Sequence, residues 1–128
     1  MVAVTRPLIY LAGPYTKPDP SINVNHTVRV ASMLMDAEVC WPVVPHLTHL
    51  WHTISPRPYE DWMALDLALL ERCDGLVRLP GESPGADREL EHFVELGGRP
   101  VYCPSFSAVT HVAPDIAGWI GRQFGGFA

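Results

Sequence analysis

Four short apolar runs alternate with helical patterns along the sequence, and this alternation constrains the fold more than any other feature. The apolar runs cover residues 8–12, 39–45, 75–80 and 99–104. They are nearly continuous in apolar side chains, which is typical of strands buried on both faces of a parallel sheet. Pro42 interrupts the second run, so we expect that strand at an edge of the sheet or at a bulge.

The helical patterns cover residues 21–38, 59–72, 83–96 and 113–124. Together with the apolar runs they predict an α/β fold: a Rossmann-like, flavodoxin-like sandwich of four or five parallel strands with helices on both faces. Ser21 is expected to cap the first helix. The apolar stripe with Trp119 and Phe124 on the last helix could close the core or form a subunit contact, and the sequence leaves both open.

A strand order of 2-1-3-4 would open a crevice at the carboxyl ends of the first and third strands. Tyr10, Gly13, Ser83 and the helix carrying Glu89 would then converge there. Gly13 would let a ligand approach the backbone, and Tyr15 follows it in the loop of residues 13–20. The position of Asp66 relative to this crevice is harder to predict, because its helix precedes the third strand.

Residues 83–91, S-P-G-A-D-R-E-L-E, begin a helix directly after the third apolar run. Glu89 stands in the first two turns, where we expect the helix dipole to keep its carboxylate ionised as a nucleophile or base. The alternative is that Asp87, Glu89 and Glu91 are solvated acids near a helix start.

One stripe of the helix at residues 59–72 is formed by Tyr59, Trp62, Asp66 and Leu69. It is mostly apolar and is expected to face inward. A carboxylate on such a face, like that of Asp66, requires a hydrogen-bond or charge partner or has a functional role. The alternative is that Asp66 lies at the edge of the stripe, where its carboxylate is either paired with another side chain or hydrated.

Three histidines, His46, His49 and His52, are spaced three residues apart. The H-E-x-x-H spacing of helical metal sites is absent, so we predict no metal site here and interpret the segment as a loop that lines a pocket.

Composition limits the class of protein. The length of 128 residues predicts one domain, residues 1–128, and the net charge of −5 disfavours binding to nucleic acid polymers or anionic membranes. Three cysteines without a C-x-x-C pair are expected to be buried and reduced: Cys40, Cys73 and Cys103. Without a signal-peptide pattern or an apolar run long enough to cross a membrane, we expect a cytoplasmic protein.

Three motifs carry a family resemblance: L-I-Y-L-A-G-P-Y near the start, D-L-A-L-L-E-R-C-D-G-L-V in the middle, and S-P-G-A-D-R-E-L-E. In this order they resemble the nucleoside 2-deoxyribosyltransferase superfamily, which includes the 2'-deoxynucleoside 5'-monophosphate N-glycosidases. The similarity runs from about residue 8 to residue 103 and is greatest to short uncharacterised bacterial and phage members.

The resemblance implies roles for individual residues. Glu89 matches the nucleophilic glutamate, Asp66 the aspartate that assists at the base and sugar, and Tyr10 the tyrosine that orients the nucleophile. Glycines that line the sugar and phosphate end are matched by Gly13 and Gly85. The family also implies a homodimer or larger assembly and no cofactor.

Phosphate recognition departs from the family pattern in part. Ser83 matches a phosphate-binding serine of the monophosphate N-glycosidases. Pro14 and Thr16, however, stand where those enzymes carry serine and arginine, which leaves Lys17 as a possible substitute. Asp87 replaces a common glycine and could repel an anionic ligand. Tyr15 and Trp62 complete the expected substrate contacts.

The leading hypothesis is an enzyme that cleaves or transfers at the N-glycosidic bond of a (deoxy)nucleoside or its 5'-monophosphate through a glycosyl ester on Glu89. The alternative is a non-catalytic nucleotide-binding or sensor module on the same fold. A weaker option is an oligomeric structural protein. A dinucleotide-dependent oxidoreductase is disfavoured, because no G-x-G-x-x-G follows the first strand.

Overall fold

A computed structural model describes residues 5–105 and 108–125. Its four strands are β1 (Leu8–Ala12), β2 (Trp41–Val43), β3 (Gly75–Arg78) and β4 (Val101–Tyr102). All pairings are parallel and the order is β2-β1-β3-β4. The predicted α/β class and parallel sheet are therefore confirmed, and the strand order is the one for which a crevice between the first and third strands was expected. Pro42 lies in β2, an edge strand as expected.

Five α-helices connect and cover the strands: α1 (Pro20–Asp36), α2 (Thr48–Ile54), α3 (Tyr59–Leu70), α4 (Pro84–Leu96) and α5 (Val109–Phe124). A 3-10 turn at Pro45–Leu47 precedes α2. The histidine segment is thus largely helical, and its interpretation as a loop was wrong. Pro45 presets the backbone for the first position of a helical turn, and no glycine or proline follows until Pro56.

Two helix starts also differ from the sequence-based expectation. Asp19, and not Ser21, caps α1, since its Oδ1 accepts the backbone N–H groups of Ser21 at 2.8 Å and Ile22 at 3.2 Å. Pro20 favours the first helical position, which places the cap at Asp19, two residues before Ser21. Helix α5 begins at Val109 rather than at residue 113 and contains Pro114.

The sheet separates two apolar layers because successive side chains of a strand point to opposite faces. Ile9 and Leu11 of β1 join the layer formed with α1 and α5, whereas Tyr10 and Ala12 join the layer formed with α3 and α4. Trp119 and Ile120 are buried in the first layer, so the apolar stripe of α5 closes the core.

Helix α3 is rotated relative to the expected orientation. Met63 and Leu70 face the core, whereas Leu69 is 40% exposed. The stripe through Tyr59, Trp62 and Asp66 therefore borders a pocket instead of the core. Among the cysteines, Cys40 and Cys73 are buried as expected, but Cys103 is exposed because it follows the short strand β4. Within the described ranges, the helices are too short or too polar to cross a membrane.

Candidate active site

A cavity of about 590 Å³ opens at the carboxyl ends of β1 and β3, beside the amino-terminal turns of α3 and α4. Its volume lies in the range of small-molecule sites. Seven of the eight residues expected at the site line it: Gly13, Tyr15, Trp62, Asp66, Ser83, Gly85 and Glu89. Tyr10, the eighth, lies beneath the cavity and contacts Glu89. Asp66, which the sequence could not place, lines the same cavity as Glu89.

A buried hydrogen bond between Tyr10 and Glu89 joins the sheet to α4. Tyr10 is fully buried on β1, and its hydroxyl donates to Oε2 of Glu89. Glu89 itself is only 5% exposed, so the alternative of a solvated acid does not apply to it. Asp87 and Glu91 of the same helix are exposed, as that alternative expected. Of these three acids, Glu89 alone has a buried carboxylate.

The ionisation of Glu89 differs from the sequence-based expectation. Burial raises the pKa of its carboxyl from 4.5 to about 7, and this effect outweighs the hydrogen bond from Tyr10 and the charge of Arg78, which both lower the pKa. Burial destabilises the charged carboxylate more than the dipole at the helix start stabilises it. The expectation of a carboxylate kept ionised by the helix dipole was therefore wrong. Near neutral pH Glu89 exchanges a proton.

Asp66 is the second acid of the cavity. Burial, and then the charge of Glu89, raises the pKa of its carboxyl to about 8. Its Oδ1 atom is buried and makes no hydrogen bond to the protein groups that the structure describes. Both pKa values are raised towards neutral pH, so the two acids titrate as a coupled pair that holds one proton over part of that range. The pair can thus supply one proton donor and one carboxylate.

Replacing Tyr10 with phenylalanine should raise the pKa of Glu89 further above about 7, because the phenol hydroxyl stabilises the charged form. A charge-assisted hydrogen bond of this kind corresponds to about one to two pH units. Carboxyl-carbon NMR titration would measure the change. Tyr102→Phe, which removes a hydroxyl bonded to Asp115 at 2.7 Å on the other face of the sheet, is the control. An unchanged Glu89 titration in Tyr10→Phe would contradict this account.

The amino-terminal turn of α4 forms one wall of the cavity. The Oγ of Ser83 caps the helix by accepting the N–H of Ala86 at 3.1 Å. Its hydroxyl hydrogen remains available to donate to a ligand. At Gly85, a Cβ atom would lie 3.3 Å from the hydroxyl of Tyr59, so the glycine leaves room for that ring. At Gly13, a Cβ atom would lie 3.1 Å from the Cβ of Leu79, so this glycine lets the loop pack closely against Leu79.

The three histidines have separate partners and form no metal site. His46 is buried, and its Nε2 pairs with the carbonyl of Pro14 at 3.0 Å. His49 Nδ1 pairs with the hydroxyl of Tyr15 at 2.6 Å, and His52 Nδ1 accepts the indole N–H of Trp62 at 2.8 Å. In the described ranges, no three or more His, Cys, Asp or Glu side chains are grouped to hold a metal ion.

The sequence analysis missed two arginines, one that lines the cavity and one that supports the loop before α4. Arg57 lines the cavity and pairs with Asp61 at 2.9 Å, although its segment was interpreted only as a break between helices. Arg78 holds the loop before α4 by donating to the carbonyls of Leu79 and Gly81. A lone charge at the end of an apolar run was the only sequence signal for Arg78.

Lys17 lines the cavity and remains the candidate for an anionic substituent. Asp87 does not line it; the carboxylate instead pairs with Arg78 at 2.9 Å. The expected repulsion of an anionic ligand by Asp87 therefore loses its structural basis. The histidine segment lines the cavity as predicted, through His46, Thr48 and His52. Other lining residues that the sequence analysis did not assign to the site are Pro45, Met63, Glu82, Pro84 and Ala86.

No family model matches this sequence, and no curated protein matches it. The chemistry of the cavity must therefore indicate what the chain does.

Proposed function

We propose that this cavity binds a (deoxy)nucleoside or its 5'-monophosphate and cleaves, or transfers at, the N-glycosidic bond through a glycosyl ester on Glu89. On this proposal the chain belongs to the nucleoside 2-deoxyribosyltransferase superfamily that its motifs resemble. The observation that supports it most is the buried pair of Tyr10 and Glu89 facing Asp66 in one ligand-sized cavity.

The proposed first step transfers the sugar to the protein. An Oε of Glu89 attacks the anomeric carbon, the bond from that carbon to the base nitrogen breaks, and the electron pair leaves with the base. Asp66 supplies the proton that neutralises the departing base. The charge that develops on the sugar resembles an oxocarbenium ion, as in retaining glycosidases, and the adjacent carboxylate of Glu89 stabilises it.

The second step regenerates Glu89. In a hydrolase, a water molecule attacks the anomeric carbon of the ester while Asp66, now a carboxylate, accepts a proton from it. In a transferase, the nitrogen of a second base takes the place of water. Tyr10 donates its hydroxyl hydrogen to Glu89 in both steps, holding the carboxylate in one orientation.

A nucleotide would be accommodated with its sugar between the two acids and its 5' end towards the start of α4. The Ser83 hydroxyl at that helix start and the Lys17 ammonium elsewhere in the cavity lining can both donate to it. Both are compatible with a 5'-phosphate, which supports a nucleotide over a free nucleoside.

Activity should follow a bell-shaped dependence on pH with a maximum between about 7 and about 8. The sign follows from the two roles. Glu89 must lose its proton to attack, so activity rises as pH passes the raised pKa of Glu89. Asp66 must keep its proton to assist the leaving base, so activity falls above the pKa of Asp66. The logarithm of kcat/KM plotted against pH would measure both limbs. A rise that begins near pH 4.5, the ordinary pKa of a glutamate, would contradict the assignment.

A substrate panel tests the proposed function. The protein is incubated with ribo- and deoxyribonucleosides and their 5'-monophosphates, with and without an acceptor base, and free base is measured by chromatography. Base released without an acceptor identifies a hydrolase, and product formed only with an acceptor identifies a transferase. Ligand that binds but is recovered intact from every mixture would favour the non-catalytic sensor module instead.

We also propose a cytoplasmic homodimer or larger homo-oligomer. Exposed apolar side chains of the segment at residues 45–54, beside the cavity, support an assembly of this kind: Leu47, Leu50, Trp51 and Ile54.

A further inference from the structure

Trp62 is the largest side chain in the wall of the cavity. It stands four residues before Asp66 on α3, and residues four apart on a helix lie on one face. Both side chains line the cavity, and the indole is only half-buried. The ring therefore lies one helical turn from Asp66 in the same wall of the cavity.

The indole ring is held at two points. Its Nε1–H donates to Nδ1 of His52 at 2.8 Å, and the ring of Trp51 packs edge-on against it with ring centres 5.1 Å apart. His52 Nδ1 also accepts the backbone N–H of Arg57 at 3.3 Å. Two donors meet at one nitrogen, so Nδ1 carries no proton and the imidazole is in its Nε2–H form.

The contacts around the Trp62 ring do not contribute to the apolar core. Helix α2, which carries His52 and Trp51, contributes no buried residue to either apolar layer. Its aromatic residues meet Trp62 at the cavity wall instead. A rigid, partly accessible indole beside a cavity is a surface on which a planar heteroaromatic ring stacks well.

We propose that Trp62 is the stacking platform for the planar base of the ligand, and that His52 is a positioning residue that fixes the plane of the indole. The location of that base beside Asp66 rests on the function proposed above. Purines cover more of an indole than pyrimidines do, so purine nucleosides and nucleotides bind more tightly.

Affinity measured without turnover tests the platform. Isothermal titration calorimetry on Glu89→Gln protein gives Kd for purine nucleosides, pyrimidine nucleosides and base-free 2-deoxyribose 5-phosphate. Adding Trp62→Ala should raise the Kd of purine nucleosides by about 5- to 100-fold, raise that of pyrimidine nucleosides less, and leave the base-free sugar unchanged. Trp41→Ala is the matched control, since this tryptophan is exposed on β2 and lies outside the cavity. It should change none of the three.

Two substitutions separate positioning from general support of the fold. His52→Leu removes the acceptor of the indole N–H and should raise the Kd of purine nucleosides by roughly 3- to 10-fold. His52→Gln supplies an amide oxygen that can accept the same N–H and should restore most of the affinity. A merely structural role would weaken binding of the base-free sugar as well.

The inference is overturned if Trp62→Ala weakens the base-containing and base-free ligands equally, or if Glu89→Gln protein binds no nucleoside. Turnover by the unsubstituted protein, measured alongside, separates this inference from the proposed function. Base release with a KM that Trp62→Ala does not change overturns the platform alone. Binding that depends on Trp62 without release of base supports the platform and overturns the glycosidase proposal.

Discussion

Replacing Glu89 with glutamine lowers kcat for base release by about 10³-fold or more, because an amide cannot form the glycosyl ester. The substitution preserves shape, and the amide oxygen still accepts the hydrogen bond from Tyr10. The fold is therefore retained, and the loss arises in the chemical step rather than in binding. Single-turnover measurement of free base at saturating substrate would quantify it.

Glu91→Gln is the matched control, since this exposed acid stands on the same helix. It should leave kcat unchanged. Comparable base release by Glu89→Gln and the unsubstituted protein would eliminate Glu89 as the nucleophile.

Thermal unfolding distinguishes lost chemistry from a lost fold. The pKa of Glu89 is raised from 4.5 to about 7 in the folded protein, so the folded state holds this proton more tightly than the unfolded state. Stability is consequently lost as pH rises from about 4.5 to about 7. Glutamine has no proton to lose, so at pH 8 Glu89→Gln should be more stable, by up to about 3 kcal/mol.

Asp66→Asn should lower kcat by about 10²- to 10⁴-fold, the range of general acid catalysis. The asparagine amide can still donate a hydrogen bond but cannot transfer a proton to the departing base. The loss should be greatest for substrates whose base leaves poorly and smallest for an activated base. Comparing kcat across nucleosides with bases of different acidity would measure this dependence.

Glu71→Gln controls for the charge change, because Glu71 lies exposed at the end of the same helix and pairs there with His92. Glu71→Gln should not change how kcat depends on the acidity of the leaving base. An equal loss for every leaving group in Asp66→Asn would contradict proton transfer by Asp66.

The sequence was sufficient to predict the sheet and the location of the cavity. The run at β1 is apolar on both faces and ends at Gly13 and Pro14, so its bounds are locally determined. The alternation of strands and helices then restricts the crossovers, which brings the ends of β1 and β3 together. For that reason Tyr10 and Glu89 could be assigned to one edge although they lie 79 residues apart.

Properties set by distant neighbours could not be predicted in the same way. The pKa of Glu89 depends on burial by other segments of the chain, whereas its place in the helix pointed to a lower value. The rotation of α3, which turns Trp62 and Asp66 towards the cavity, depends on how Met63 and Leu70 pack. By contrast, the short helix α2 and the turn before it carry apolar residues at helical spacing, a signal that the sequence analysis missed: Leu47, Leu50, Trp51 and Ile54.

The glycosyl ester itself is the most direct test. The protein is mixed with the best substrate of the panel, quenched rapidly in acid, digested and analysed by mass spectrometry. The account predicts one glycosyl group on the peptide that contains Glu89, and no such group in Glu89→Gln protein. Base release with inversion at the anomeric carbon and an unmodified Glu89 peptide would contradict it.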